Sequence, residues 1–419
     1  MRDVTYLRPR DLKDAVQAYR TTPGCRLLAG GTDLMVMLHA RTLRPEPRAV
    51  IDLWSLPELK GIRRVDDMLE IGAAESYTGI IRSALAQQHV PALVAAARTI
   101  GAAQIQNRGT LGGNLANASP AGDTLPVLLA YDAVVVTDRR AIPVDRFFTG
   151  YRKTALQADE LITAVRLPLG RQVVFHKVGT RAAQAISKVV MAVCREPARV
   201  AIGSVAEIPL RATRAEAALA NGDAAGAVAA VAGDIRPIDD VRSTAVYRRA
   251  VTQNVLQSCW MHSRAAELVK TLAMRPHPEG GHYAELYRSP LRVEVLARTV
   301  QRAAITTIYF LLASGEFSRW HRVMSDEIWH YHEGDAIELL LFDEHGLRRM
   351  RLGPVARESR PTVIVPGGTW QAACTTGAYT LCACTVGPGF EFADFSLAID
   401  WPDVAERIAA AGPELARFI

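Results

Sequence analysis

The chain has 419 residues, 49% hydrophobic and 22% charged, which is ordinary globular composition with length for two to four domains. Its formal charge of +6 comes from 49 basic and 43 acidic residues. That excess is mild and dispersed, with no basic stripe interleaved with aromatics, which argues against a nucleic-acid partner.

The opening segment, MRDVTYLRPRDL, carries no apolar run of signal-peptide type. From Asp11 to Tyr19, Leu12, Ala15, Val16 and Tyr19 recur at helical spacing and predict an amphipathic helix. LLAG at 27–30, AVID at 49–52 and AVVVT at 133–137 read as short buried strands. Two glycine-rich segments stand out, LLAGGTDL at 27–34 and NRGTLGGNLANASPAGDTLP at 107–126. Glycine lets backbone N–H groups approach an anion closely and adopts φ > 0 without strain. One such loop is equally an ordinary tight turn. Two, with different polar partners, read as two walls of one nucleotide site. Neither is a Walker A loop or a G-x-G-x-x-G fingerprint.

The most apolar stretch, LPVLLAYDAVVV at 125–136, is short and interrupted by Asp132, so it cannot span a bilayer. Residues 212–232 are alanine-rich and helical in pattern, broken at Asn221-Gly222-Asp223. Mixed helix and strand signals of this kind indicate α/β or α+β architecture. After about residue 260 the character changes. Pro276, Pro278, Gly280 and Gly281 mark a boundary, followed by strand-like runs at 303–312, 327–332, 336–342, 361–366 and 379–386. Closely spaced short strands predict an all-β barrel or sandwich. The six cysteines (25, 194, 259, 374, 382, 384) form no CxxC pair, so no iron–sulfur cluster is expected, and a reduced, cytoplasmic protein is the simplest reading. Cys382 and Cys384 lie two apart in one strand, face one side and cannot easily bridge.

Residues 4–256 resemble the FAD-binding medium subunit of the xanthine and carbon monoxide dehydrogenase family of molybdenum hydroxylases. The resemblance rests on YLRPRDLKDAV at 6–16, LLAGGTDL, IDLWSLPELKGI at 51–62, IGAAES at 71–76, IGAAQIQNRGTLGGNLANASPAGDTLP at 100–126, FFTGYRKTAL at 147–156, FHKVGTRAAQAIS at 175–187 and RSTAVYRR at 242–249. It implies an α+β chain: a two-lobed FAD-binding fold of the PCMH type over 1–167, then a flavoprotein C-terminal subdomain over 168–258. The segment VVMAVCREPARVAIGSVAE is shorter than the family's hairpin there, which implies an edge trimmed from the third subdomain.

By resemblance, residues 27–34 (Leu27, Leu28, Ala29, Gly30, Gly31, Thr32, Asp33 and Leu34) wrap the pyrophosphate of FAD. Gly30, Gly31 and Thr32 offer three successive amides, and Asp33 is expected to cap the apolar run LMVML. Thr110, Gly113 and Asn114 match cofactor-lining positions, and Asp123 one that hydrogen-bonds it. Ile100 and Ile162 match apolar contacts near the adenine and the ring. Lys177 matches a lysine near the isoalloxazine, where a cation favours the reduced flavin; read without the resemblance it is a solvated strand residue. No histidine lies in or just before LLAGGTDL, and Cys25 reads as packing, so the flavin is expected to be noncovalent.

Residues 264–400 resemble a small cupin family, with a short C-terminal helix expected over 401–419. The matching stretches are AAELVKTLAMRPHPEGGHYAELYRS at 265–289, FSRWHRVMSDEIWHYHEGD at 317–335, VPGGTWQAA at 365–373 and GPGFEFADF at 387–395. His321 and Glu327 occupy the first and third metal-ligand positions of a cupin, while Val323 and Gln371 stand at the second and fourth. Two ligands make a weak transition-metal site, so no metal is expected. Strand alternation from an inward Glu327 turns Trp329 and Tyr331 inward and His330 and His332 outward. The expected barrel pocket is His321, Glu327, Trp329, Tyr331, Trp370 and Gln371.

The leading expectation is an FAD-containing electron-transfer subunit. It would work with a molybdopterin-binding large subunit and a 2Fe–2S small subunit, pass electrons to NAD, O₂ or a quinone, and carry a small-molecule-binding cupin that is also a candidate surface for a homo-oligomer. Two alternatives stay open: a regulatory binding protein with a vestigial flavin site, and a cupin isomerase or epimerase with His321 as base.

Overall fold

The structure is a computed structural model that describes residues 4–181, 184–295 and 299–419. Residues 1–3 of the opening segment and Ala182 and Ala183 of FHKVGTRAAQAIS lie outside the described residues. The chain divides into two compact units, Met1–Ser263 and Arg264–Ile419.

The first unit begins with a three-stranded parallel sheet. Ala49–Asp52 runs between Thr5–Leu7 and Arg26–Leu28, pairing Leu28 with Asp52. The helix Leu12–Thr21 starts where Asp11 accepts the amide of Asp14, and it buries Ala15 against Ile51, Leu56 and Leu59. Four buried residues in a row, Ala49 to Asp52, mark a strand covered on both faces, as parallel sheets require.

A second lobe holds a five-stranded antiparallel sheet in the order Ile62–Val65, Met68–Gly72, Ile162–Pro168, Val134–Thr137, Ala141–Pro143. Six helices pack with it, among them Pro91–Thr99, Leu111–Asn117 and Thr124–Ala130. The last is buried on every side, which explains its uniformly apolar sequence TLPVLLA. The third part is an antiparallel meander of Val173–Val178, Val189–Cys194, Arg199–Gly203 and Leu210–Arg211. Four residues, 195–198, join its second and third strands. Helices Thr213–Ala220 and Ala224–Asp234 break at Asn221–Asp223 and cover the meander through Ala215, Leu219, Ala227 and Val231.

The second unit begins in the last turns of the helix Ala245–Thr271. It is a pair of facing sheets. One has six strands in the order Arg275–Pro276, His282–Arg288, Thr306–Ala313, Tyr379–Gly387, Asp326–Gly334, Thr362–Val365. The other has five, Gly346–Leu352, Ile337–Asp343, Trp370–Thr375, Phe317–Val323, Phe395–Leu397. Their inner faces meet in a core of Phe310, Trp329, Leu339, Leu341 and Cys384. On the outer face of the five-stranded sheet, Trp320, Phe342 and Trp370 pack against Ile408 of the helix Pro402–Ala411 and Phe418 beyond it. Among the described residues no helix is long and apolar enough to cross a membrane.

Candidate functional site

The two glycine-rich segments meet. A Cβ on Gly30 would lie 1.8 Å from the carbonyl oxygen of Arg108 and 3.0 Å from the Cα of Gly109, so backbone runs against backbone there. Gly31 takes φ +78°, which carries the chain around into the helix Leu34–His39. The second segment is anchored from behind. The amide of Gly112 donates to the Ala73 carbonyl (2.8 Å) and that of Leu111 to Glu75 (3.2 Å). A Cβ on Gly112 would strike the same Ala73 carbonyl at 2.7 Å.

Between the segments lies a cleft of about 850 Å³. That is the upper range of pockets that hold cofactors and drug-sized ligands. Leu27, Ala29, Gly30, Gly31, Thr32, Asp33 and Leu34 form one wall. Thr110, Gly113 and Asn114 form another, and Ile100 and Ile162 contribute apolar surface. The amides of Gly30, Gly31 and Thr32 meet no protein acceptor among the described residues. Three successive free donors on a cleft wall form a ready site for an anionic group such as a diphosphate. In the second wall two side-chain acceptors are taken up within the protein. Thr110 uses its hydroxyl to cap the helix Leu111–Asn117 through the Gly113 amide (3.0 Å), and Asn114 accepts from the Thr124 hydroxyl (2.6 Å).

Several expected roles change. Asp33 does not cap the following helix: it sits at φ −96°, ψ −46°, already helical, and makes no side-chain cap bond. A capping carboxylate needs extended backbone to swing back onto the amides ahead of it. Leu28, Asp123 and Lys177 are not among the residues lining the cleft. Lys177 is neither solvated nor an isolated cation. Its ammonium donates to Asp123 (2.6 Å) and to the Thr99 carbonyl (3.1 Å), and Ser187 donates to the other Asp123 oxygen. Both side chains are 7% exposed, a burial that neither charge tolerates without the other. Cys25 borders the cleft, and burial pushes its thiol up, away from the nucleophilic thiolate. Tyr77, Asn117 and Arg152 also line the cleft and were not anticipated. Asn117 sits within the quoted motif, and Arg152 reaches it from FFTGYRKTAL at 2.6 Å.

A second, smaller cavity of about 170 Å³ opens in the barrel. His321, Glu327 and Val323 line it, as do His277 and Glu279, which sequence reasoning passed over. Trp329 and Gln371 lie behind the wall: the Trp329 indole donates to the Gln371 oxygen (3.1 Å), and the Gln371 amide donates to Glu327. Tyr331 turns its hydroxyl to the Gly334 carbonyl (2.7 Å). Trp370 belongs to the outer face, under Arg322, because neighbours in a strand point to opposite sides and Gln371 points in. The residues do not fit a transition metal. Val323 offers no donor, Gln371 is committed on both amide atoms, and no group of three His, Cys, Asp or Glu side chains is poised to hold one among the described residues.

The barrel cluster is tightly wired. His321 donates from Nδ1 to the Arg319 carbonyl (2.8 Å), which leaves Nε2 as the acceptor facing Glu279 at 3.3 Å. Ser318 donates to the other Glu279 oxygen (2.9 Å). Burial pushes the Glu279 carboxyl up to about 8 and the His321 imidazole down, so the pair shares one proton at neutral pH.

Comparison with known proteins agrees with this geometry. Residues 2–170 match the FAD binding domain in molybdopterin dehydrogenase, 175–263 the CO dehydrogenase flavoprotein C-terminal domain, and 266–398 the cupin superfamily (DUF985). The xanthine dehydrogenase FAD-binding subunit of Escherichia coli O157:H7 is 37% identical over 169 residues, 39% of this chain and 57% of that one. The chain thus spans little more than half of that relative's length. The glyceraldehyde dehydrogenase medium chain of Sulfolobus acidocaldarius is 31% identical over 268 residues, 60% of this chain and 95% of its own. A solved chain of carbon monoxide dehydrogenase from Hydrogenophaga pseudoflava superposes with a TM-score of 0.58 at 29% identity, covering 61% of this chain and 96% of that one. With two glycine loops enclosing a cofactor-sized cleft and a relative matched over nearly its full length, this chain belongs to the FAD-binding medium-subunit family of the xanthine and carbon monoxide dehydrogenases, extended by a cupin domain.

Proposed function

We propose that this chain is the FAD-carrying electron-transfer subunit of a molybdenum-containing dehydrogenase. It would act in the cytoplasm beside a molybdopterin-binding large subunit and a 2Fe–2S small subunit. FAD, when bound, supplies the redox chemistry: it takes electrons delivered by the iron–sulfur partner and yields them to NAD, O₂ or a quinone. The chain's own residues bind and orient it. The free amides of Gly30, Gly31 and Thr32 hold the diphosphate, and Ile100 and Ile162 give the apolar surface that keeps water from the rings. Attachment is noncovalent, since no histidine lines the cleft among the described residues and burial pushes the Cys25 thiol up. The barrel binds a small molecule of its own and offers a surface through which copies of the chain could associate.

The observation that carries the reading is the convergence of two glycine loops on one cleft with three unspent donors. The test is purification followed by acid precipitation. All flavin should leave with the supernatant, Cys25→Ala should retain full flavin, and the chain alone should show no substrate-dependent dehydrogenase activity. Flavin on the pellet, or turnover without partners, would overturn the assignment. A colourless protein that cannot be reconstituted with FAD would instead support a vestigial site.

A further inference from the structure

The barrel cavity has a character that small-molecule binding alone does not specify. Deepening that part of the proposed function, we propose that it takes a compact organic cation, an amine on a scaffold no larger than one aromatic ring that also carries a hydrogen-bond acceptor. Size sets the first limit. At about 170 Å³ the cavity is close to the roughly 150 Å³ engineered cavity that admits benzene.

Charge sets the second. Four glutamates line the cavity against two arginines. Arg288 is neutralised by Glu285 and Glu391, each at 2.9 Å. Arg275 is exposed and lies over the Tyr283 ring, 4.8 Å from its centroid. Glu279 and Glu327 remain, 6% and 7% exposed. Neither meets a lysine or arginine among the described residues. Glu279 has Ser318 and the two imidazoles of His277 and His321, and Glu327 has Gln371 and the Cys384 thiol. Two buried carboxyls without a permanent cation are costly as anions, and burial shifts both upward, Glu279 to about 8. An incoming ammonium would discharge a proton and take its place as counter-ion.

The apolar lining suits the same guest. Phe310, Phe390, Phe392 and Tyr283 border the cavity, and aromatic faces attract cations. His277 supplies the acceptor requirement. Its side chain is 7% exposed, its Nδ1 receives the Glu279 amide at 3.4 Å, and its Nε2 finds no partner among the described residues. An imidazole N–H without a protein partner on a cavity wall can donate to an acceptor on the guest. Cys384 also faces the cavity, and burial pushes its thiol up, so it adds no charge.

The test is calorimetric titration of the full chain at pH 7 with three probes of one shape: 3-(aminomethyl)pyridine, which is cationic, 3-pyridinemethanol, which is neutral, and nicotinate, which is anionic. The cation should bind at least about tenfold more tightly than the alcohol. It should release protons, seen as a dependence of the heat on the buffer's ionisation enthalpy. Glu279→Gln and Glu327→Gln should each erase that preference and the proton signal while flavin content stays unchanged. If the variants fail to fold, the charge series on the unaltered chain still decides. Equal binding of the alcohol, or a preference for nicotinate, overturns the cation assignment while the barrel remains a small-molecule site. Binding of none of the three overturns both.

Discussion

Gly30→Ala is the sharpest perturbation of the flavin cleft. Gly30 has no positive φ, so alanine brings no backbone strain; the whole effect is steric. The new methyl would stand 1.8 Å from the Arg108 carbonyl oxygen, a backbone atom that no rotamer change can move aside. The 27–34 loop must retreat by about 1 Å or more to restore contact, at an overpacking cost of about 1–3 kcal/mol. That retreat also misplaces the amides of Gly30, Gly31 and Thr32, each worth about 1 kcal/mol as a donor. The strain burdens apo- and holoprotein alike and lowers stability, whereas loss of the donors takes up to about 3 kcal/mol from binding, or FAD affinity weaker by up to about 150-fold. Gly24→Ala is the control. It has open space within 4 Å but φ +73°, so it should cost about 1–2 kcal/mol of stability with FAD affinity intact. Reconstitution of apoprotein with FAD, followed by flavin fluorescence, separates the two. A Gly30→Ala protein that binds FAD as tightly as the parent would refute the claim that this loop contact shapes the cofactor site.

Three further outcomes are expected. Lys177→Met leaves the Asp123 carboxylate buried without its cation and should cost the apoprotein about 3–5 kcal/mol, read as a lowered Tm, with Asp123→Asn in the same chain recovering most of it; additive losses would deny the coupling. The barrel's stability should depend on pH in two directions. Glu279, raised from 4.5 to about 8, makes the folded state bind the extra proton, so this stability erodes as pH rises through that window. His277, lowered from 6.5 to about 4, makes the unfolded state bind it, so stability is lost as pH falls from 6.5 to 4. Each limb is no steeper than about 1.4 kcal/mol per pH unit, and Glu279→Gln should flatten the alkaline one in denaturation curves taken across pH. Elemental analysis of the full chain should find no stoichiometric Fe, Mn, Ni or Zn in the barrel, and Val323→His with Gln371→His should create metal affinity; stoichiometric metal in the parent would contradict the reading of its donor set.

Much of the flavin cleft is legible from sequence because its glycines are there for close approach. Gly30 and Gly112 each abut a carbonyl, and such positions admit no other residue, so they print themselves into the sequence as paired glycines. The strands at 26–28 and 49–52 and the helix break at 221–223 are local events with local signals. What the sequence hides is long-range or fine-grained. Lys177 meets Asp123 across 54 positions, and nothing near either residue announces the other. The failure of Asp33 to cap depends on its backbone angles rather than its residue type. Trp370 and Gln371 were grouped by adjacency in VPGGTWQAA, although strand alternation forbids both from facing one cavity. His277 and Glu279 fell within the Pro- and Gly-marked stretch taken as a boundary; the density of titratable side chains in PHPEGGH was the available clue.

The central claim, that this chain carries FAD for a molybdenum dehydrogenase, is tested most directly by isolating the tagged chain from its own cells and measuring flavin, molybdenum and iron together. One FAD and one molybdenum per chain, with one large-subunit and one small-subunit partner in the preparation and flavin bleaching when substrate is added, is the expected result. A chain that emerges alone and fully flavinated, oxidises its own substrate, and carries no molybdenum would contradict it.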